Sequence, residues 1–331
     1  MLNGWNTNDG ILKNIQIRSS MALFSIVYLS FALTLTFYHA QTIERPYRQE
    51  RQEFHEGIIR GDFYAPYQYR IGATYLAEAG GRLVDRAYNL PVGSAYKARE
   101  YMYILERLIA TWLLFIVFHL YLEKWLSSEM AFSGTLILAG LHTYTYHSYF
   151  YQPDSVINIL VLAIGTYWIV NGETGRLYPL MFIGAFFRET SGLLIALYLA
   201  EHWRDRKAYR HIVGLFLAWL SVQILLRVVF GNRPFFPARP FDYQLYYLGW
   251  PVFLFSLFWL IPFIRLKSLP AFLTRGLLFM APPLIVVNLI FGKVEETRLF
   301  LDLGLLLIPA TMIVLFGMQI QPESERLART E

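Results

Sequence analysis

From Met21 to Tyr38 the chain runs without a charged side chain, and comparable apolar runs recur as far as about residue 319. A bilayer core of ~30 Å takes roughly 20 apolar residues of helix. Backbone in hydrocarbon must satisfy its own hydrogen bonds, which a helix does within one segment. Segments 20–39, 108–122, 130–147, 155–171, 211–231, 247–264, 272–292 and 299–319 are candidates for such helices. Charge is correspondingly scarce, 16% of residues against ~25% in soluble domains. Of the 53 Lys, Arg, Asp and Glu residues, 17 fall within 41–100. A soluble globule, a fibre and a disordered chain are excluded. The expected fold is all-α, a polytopic transmembrane helical bundle forming a single membrane domain over 1–331.

The net charge of +5 is what cytoplasmic loops rich in Lys and Arg produce, so no nucleic-acid partner is inferred. With no cysteine, disulfides, thiol catalysis and thiolate metal sites drop out. Lys13 and Arg18 precede the first apolar run, which is long for a cleaved signal and reads as a retained helix. Cleavage after Ala40 is the alternative.

Leu177–Ala200 is apolar except for Arg188-Glu189-Thr190-Ser191-Gly192 at its middle. Loop charge discriminates between one helix and two, because short cytoplasmic loops collect Lys and Arg. With the N-terminus inside and the long first loop set aside, one full pass leaves eight basic residues inside and nine outside. A re-entrant hairpin gives thirteen inside, including Arg204, Arg206, Lys207, Arg210, Arg265, Lys267 and Arg275. Only Arg233, Arg239, Lys293 and Arg298 then remain outside. The expectation is therefore about eight full passes plus a broken or re-entrant hairpin at 177–200. Each arm of about eleven residues reaches ~16 Å, roughly mid-bilayer. Irregular backbone at that depth needs protein or a water-filled cavity around it, so Arg188 and Glu189 are expected to line a polar cavity.

The remaining unusual chemistry then collects on the outer side. A long outer loop, 40–105, carries Glu53, His55, Glu56 and Asp62, then Pro66-Tyr67-Gln68-Tyr69-Arg70. Ile71, Tyr75, Leu76 and Ala79 have the spacing of an amphipathic juxtamembrane helix, broken by Gly80-Gly81. Asp154 stands just before an apolar segment, suited to an N-cap, a site role or both. Arg188 and Glu189 lie deep in an apolar run, where a charge costs ~2.5–3.5 kcal/mol on insertion scales and a functional role is the default. Arg239 sits among aromatics and prolines. Glu295 and Glu296 precede Arg298, which is four residues from Asp302 and on an α-helix would share its face. Neither HExxH, P-loop, dinucleotide fingerprint nor GxSxG is present. His55, His142, His147 and His202 have no metal-ligand spacing.

The order of these features resembles the GT-C superfamily of integral membrane glycosyltransferases: a first helix, a long outer loop with acidic residues, flat juxtamembrane helices, an acidic residue before an early helix, and a charged break between short helices. Glu53–Asp62, 64–79, Asp154 and Arg188-Glu189 are the matching pieces. The runs at 66–70 and 295–298 are similar to bacterial members of that group. The resemblance implies transfer of a sugar from a polyprenyl-phosphate donor to an acceptor at the outer face. It places a catalytic base among Glu53, Glu56 and Asp62. Substrate contacts would come from His55, Arg70, Asp154, Arg188, Glu189, Arg239, Glu295, Glu296 and Arg298. It also admits a divalent metal ion on the phosphate. Partners would be a lipid-linked donor and membrane lipids, in a prokaryotic inner membrane with both termini cytoplasmic. A transporter or lipid flippase using the same mid-membrane charges is the alternative, with a non-catalytic assembly subunit behind it.

Overall fold

The computed structural model describes residues 7–88, 95–144, 153–235, 241–247, 256–292, 294 and 296–316. Among these the chain is all-helical, with one isolated bridge between Ala65 and Phe235. The helices are α1 (Thr7–His39), α2 (Arg48–Arg60), α3 (Gly72–Tyr88), α4 (Ala95–Leu122), α5 (Ser128–Tyr144), α6 (Asp154–Val170) and α7 (Thr174–Phe187). They continue with α8 (Leu193–Glu201), α9 (Ala208–Phe230), α10 (Phe241–Tyr246), α11 (Ile261–Ile264), α12 (Ala271–Phe291) and α13 (Gly304–Phe316).

The chain is an integral membrane protein. Five stretches among the described residues are long and apolar enough to cross a bilayer: Met21–Glu44, Lys97–Leu122, Ala208–Phe230, Ala271–Ile290 and Thr297–Phe316. On α9 and α12, Leu217, Val228, Val229, Leu278 and Ile290 are exposed, the faces expected where lipid tails replace protein contacts. The last stretch is different: every residue from Gly304 to Ile313 is buried. A helix apolar all round belongs in the core of such a bundle, and α13 is such a core helix. The other three expected passes are less regular. α5 and α6 have 17 residues each. Within 247–264 the described helical pieces are Ser256–Trp259 and Ile261–Ile264, and 248–255 lie outside the described residues.

Two boundaries shift from the expected ones. α4 begins at Ala95 rather than near 108, so Glu106 and Arg107 lie inside a helix. α3 is not broken at Gly80-Gly81 but runs through them to Tyr88. The reason is packing against α4. Ala73, Ala77 and Gly81 form a buried stripe four residues apart, and small residues let helices approach closely. A Cβ on Gly80 would meet the Met102 sulfur at 2.6 Å, and one on Gly81 would meet Arg99 Cγ at 2.7 Å. Gly81→Leu should therefore cost about 1–3 kcal/mol through overpacking, read as a lower midpoint of thermal unfolding in nanodiscs. An unchanged midpoint would show that α3 and α4 are not held together here.

Residues 174–201 form the hairpin. Arg188 is extended (φ −160°, ψ 140°) and ends α7; Glu189–Gly192 make a 3₁₀ turn, and α8 follows. The chain turns back on itself there, and both arms pack on α6 and α9. Thr174 Oγ1, at the start of α7, lies 3.5 Å from the Tyr198 hydroxyl near the end of α8. Near the turn, a Cβ on Gly184 would lie 3.2 Å from Ser191 Cβ. α9 fixes the level of the turn. At one end of α9, His211 Nδ1 is 2.9 Å from the Tyr178 hydroxyl. Part-way along, the Trp219 indole donates to the Glu189 carbonyl at 3.0 Å and Gln223 donates to that of Ala185 at 3.3 Å. At the far end, the Tyr69 hydroxyl donates to the Gly231 carbonyl at 2.9 Å.

Candidate functional site

Three arginines from distant parts of the chain converge where the hairpin turn, the start of α6 and the 3₁₀ segment Thr297–Leu303 meet. Arg70, just before α3, makes a two-pronged contact with Glu189, with Nε to Oε2 at 2.8 Å and Nη2 to Oε1. Arg298 pairs with Glu296. Arg188 has no such partner: among the described residues no carboxylate lies within ion-pair distance of it, although it is only 5% exposed. Arg188 Nη1 and Arg298 Nη1 instead both donate to one oxygen, Ser155 Oγ, each at 2.9 Å.

That arrangement is electrostatically expensive. Two guanidinium groups on one oxygen repel each other, and the repulsion is weakly screened away from water. A buried charge without a partner costs several kcal/mol more. A hydroxyl that accepts twice still has its own proton to donate. The turn adds further unmet capacity: Arg188 Nε, Thr190 Oγ1 and Ser191 Oγ are buried without partners among the described residues. Donors gathered this way, one of them a buried guanidinium without an ion-pair partner among the described residues, describe a receptor for an anion. The ring of Tyr67 borders it, 5.6 Å from the Arg70 guanidinium carbon, and is near enough to Glu296, Arg298 and Arg188 to feel their charge.

Acidic groups flank the arginines. Asp154 is the first residue of α6 and 6% exposed. It does not cap its own helix; its Oδ1 accepts the Ala73 N–H at 3.4 Å, one of the unpaired donors at the start of α3. Asp302 accepts from Asn158 Nδ2 at 3.3 Å. The Arg298–Asp302 pair expected on an α-helix does not form, because 297–303 is a 3₁₀ helix. Three residues per turn bring i and i+3 together, not i and i+4.

Six of the sequence-derived positions thus meet: Arg70, Asp154, Arg188, Glu189, Glu296 and Arg298. Arg239 and Glu295 lie outside the described residues. Glu53, Glu56 and Asp62 are exposed and belong to the surface of α2 and the turn after it. Gln49 donates to Glu53 at 3.2 Å, Gln52 to Glu56 at 2.8 Å, and Arg60 to Asp62 at 3.4 Å. The helical period accounts for this: Arg51, His55 and Ile58 take the buried face, which turns Glu53 and Glu56 outward. Sequence reasoning missed Ser155 and Asn158, whose residue types are ordinary near a helix start.

His55 belongs to a separate network joining α2, α3 and α4. Its Nδ1 is 2.7 Å from the Tyr103 hydroxyl and its Nε2 3.1 Å from Glu78. Glu78 also takes Arg82 Nε and Arg99 Nε, each at 2.6 Å. Burial alone would raise the Glu78 carboxyl, but the bonds from Arg99, Arg82 and His55 outweigh it and hold it at about 2. Burial lowers His55 despite Glu78. Both shifts have the same sign. Each group binds protons less readily folded than unfolded, so its contribution is present at neutral pH and is lost on acidification. The His55 share fades as pH falls below about 6.5, and the Glu78 share between about 4.5 and 2. Thermal unfolding at pH 7 and pH 4 should show a lower midpoint at pH 4, with a smaller drop for His55→Gln, which removes one share and weakens the other. Equal drops in the two proteins would contradict this.

Deeper, Glu44 accepts from Arg51 Nη1 at 2.7 Å and Arg107 Nη1 at 2.6 Å, all three being buried. Among the described residues no three His, Asp or Glu side chains are placed to hold a metal ion. The chain shows no match to a protein family, to a curated protein or to a solved structure.

Proposed function

We propose that the protein is a membrane glycosyltransferase that moves a sugar from a polyprenyl-phosphate donor to an acceptor at the outer face. The observation that carries this reading is the convergence of Arg188 and Arg298 on Ser155, with Arg188 lacking a carboxylate among the described residues. A phosphate supplies the ion-pair partner that Arg188 lacks among the described residues. It gains further charge as the sugar leaves, and fixed guanidinium groups stabilise that gain more than the ground state. The membrane holds the donor's apolar tail beside the cluster.

In this frame the bundle has about eight passes and both termini on the cytoplasmic side of a prokaryotic inner membrane. The 174–201 hairpin is re-entrant. Its turn packs on Trp219, eleven residues from the start of α9, hence ~16 Å into the bilayer. Irregular backbone there suits a cavity rather than lipid contact.

The test is incorporation of labelled sugar by purified protein offered a broad panel of polyprenyl-phosphate sugars. Transfer from at least one donor is expected. No transfer, with an established enzyme active in parallel, would end this reading. A substrate-dependent change in accessibility from both sides would instead favour the transporter or flippase.

A further inference from the structure

We propose that Asp154 is the proton acceptor of the transfer, in place of the carboxylates of the first outer loop. The inference rests on the transferase reading. In the step, the acceptor oxygen bonds to the anomeric carbon as the bond from that carbon to the donor phosphate oxygen breaks. The electron pair stays on the phosphate, beside Arg188 and Arg298, and the acceptor's hydroxyl proton passes to the Asp154 carboxylate. The products are the glycosylated acceptor, polyprenyl phosphate and protonated Asp154, so atoms and charge balance.

The geometry favours this carboxylate by its partners. Within the arginine cluster, Glu189 is gripped by Arg70, Glu296 by Arg298, and Asp302 takes the Asn158 amide. Asp154 alone among these has no side-chain partner among the described residues; its one bond is the long 3.4 Å contact from Ala73 N. It is also the residue next to Ser155, whose hydroxyl receives Arg188 and Arg298. A group that must accept a proton needs an uncommitted oxygen within reach of the reacting centre. Glu44 fails on that count, being held by Arg51 and Arg107. Glu53, Glu56 and Asp62 differ on both counts: all three are exposed, and they accept from Gln49, Gln52 and Arg60 respectively. The charged groups acting on Asp154 are Arg70 and Arg188, with Glu106 of α4 across the α4–α6 contact.

The experiment uses the full chain in nanodiscs, with a panel of radiolabelled polyprenyl-phosphate sugars, a membrane lipid extract as acceptor source, and unglycosylated polyprenyl phosphate as the binding probe. Asp154→Asn should lose transfer by ~10²-fold or more while binding polyprenyl phosphate within about threefold of wild type, because the arginines are intact. The triple variant E53Q/E56Q/D62N should keep transfer within the same margin. Three results would overturn the assignment: Asp154→Asn that still transfers, a triple variant that loses as much, or Asp154→Asn that no longer binds the probe. A wild-type protein that binds polyprenyl phosphate yet transfers from no donor removes the transferase reading, and the role of Asp154 with it.

Discussion

Arg188→Gln is expected to lower sugar transfer by about 10²–10³-fold and to leave the unliganded protein at least as stable as wild type. The two halves of that result come from one observation. Arg188 is buried, donates to Ser155 and has no carboxylate partner among the described residues, so its charge is a cost to the empty fold. Glutamine keeps a donor and removes the charge, relieving the repulsion with Arg298. A residue retained at such a cost is retained for what it binds. Parallel measurements of transfer and of thermal unfolding decide the matter. If Arg188→Gln lowers stability by several kcal/mol, the arginine is a structural pillar and the anion site is misassigned.

The second large effect is on stability. Glu44→Gln should destabilise the protein by about 3–5 kcal/mol. Glu44 ends a π-helical turn that continues α1, and it is the shared acceptor of Arg51 from α2 and Arg107 from α4. His39 Nδ1 lies 3.6 Å from the same Glu44 oxygen. Removing the carboxylate leaves two guanidinium groups facing each other in a dry interior. That outcome is far worse than losing an exposed pair such as Arg60–Glu56, where the expected change is ~0–1 kcal/mol. Denaturation of the two variants in the same nanodiscs measures the contrast. Similar small losses for both would mean that water reaches Glu44.

What the sequence made legible follows from how membranes treat charge. Arg188, Glu189 and Arg298 stand out because hydrocarbon tolerates ions only for a reason, and the break at Arg188–Gly192 is visible as polar letters in an apolar run. The positive-inside count turned that break into a hairpin, and the chain does turn back there. The carboxylates were harder. Glu53, Glu56 and Asp62 lie in the loop where acidic residues are expected, but a linear stretch does not show which way a helix faces until its buried side is known. Arg51, His55 and Ile58 decided that for α2. Arg107 was hidden because the apolar run begins just after it, which made it look like a boundary residue instead of an interior one. Ser155 carries no signal of its own. It matters only because two arginines from positions 33 and 143 residues away arrive at its hydroxyl, and long-range convergence is a property of the fold.

The most direct test of the anion site is a cryo-EM map of the protein in nanodiscs loaded with polyprenyl phosphate. The phosphate should lie within hydrogen-bond reach of Arg188 and Arg298, beside the Ser155 hydroxyl, with the lipid tail leading outward between helices. Arg188→Gln should lose that density. A phosphate bound elsewhere, or a carboxylate seen neutralising Arg188 in the unliganded protein, would contradict the account.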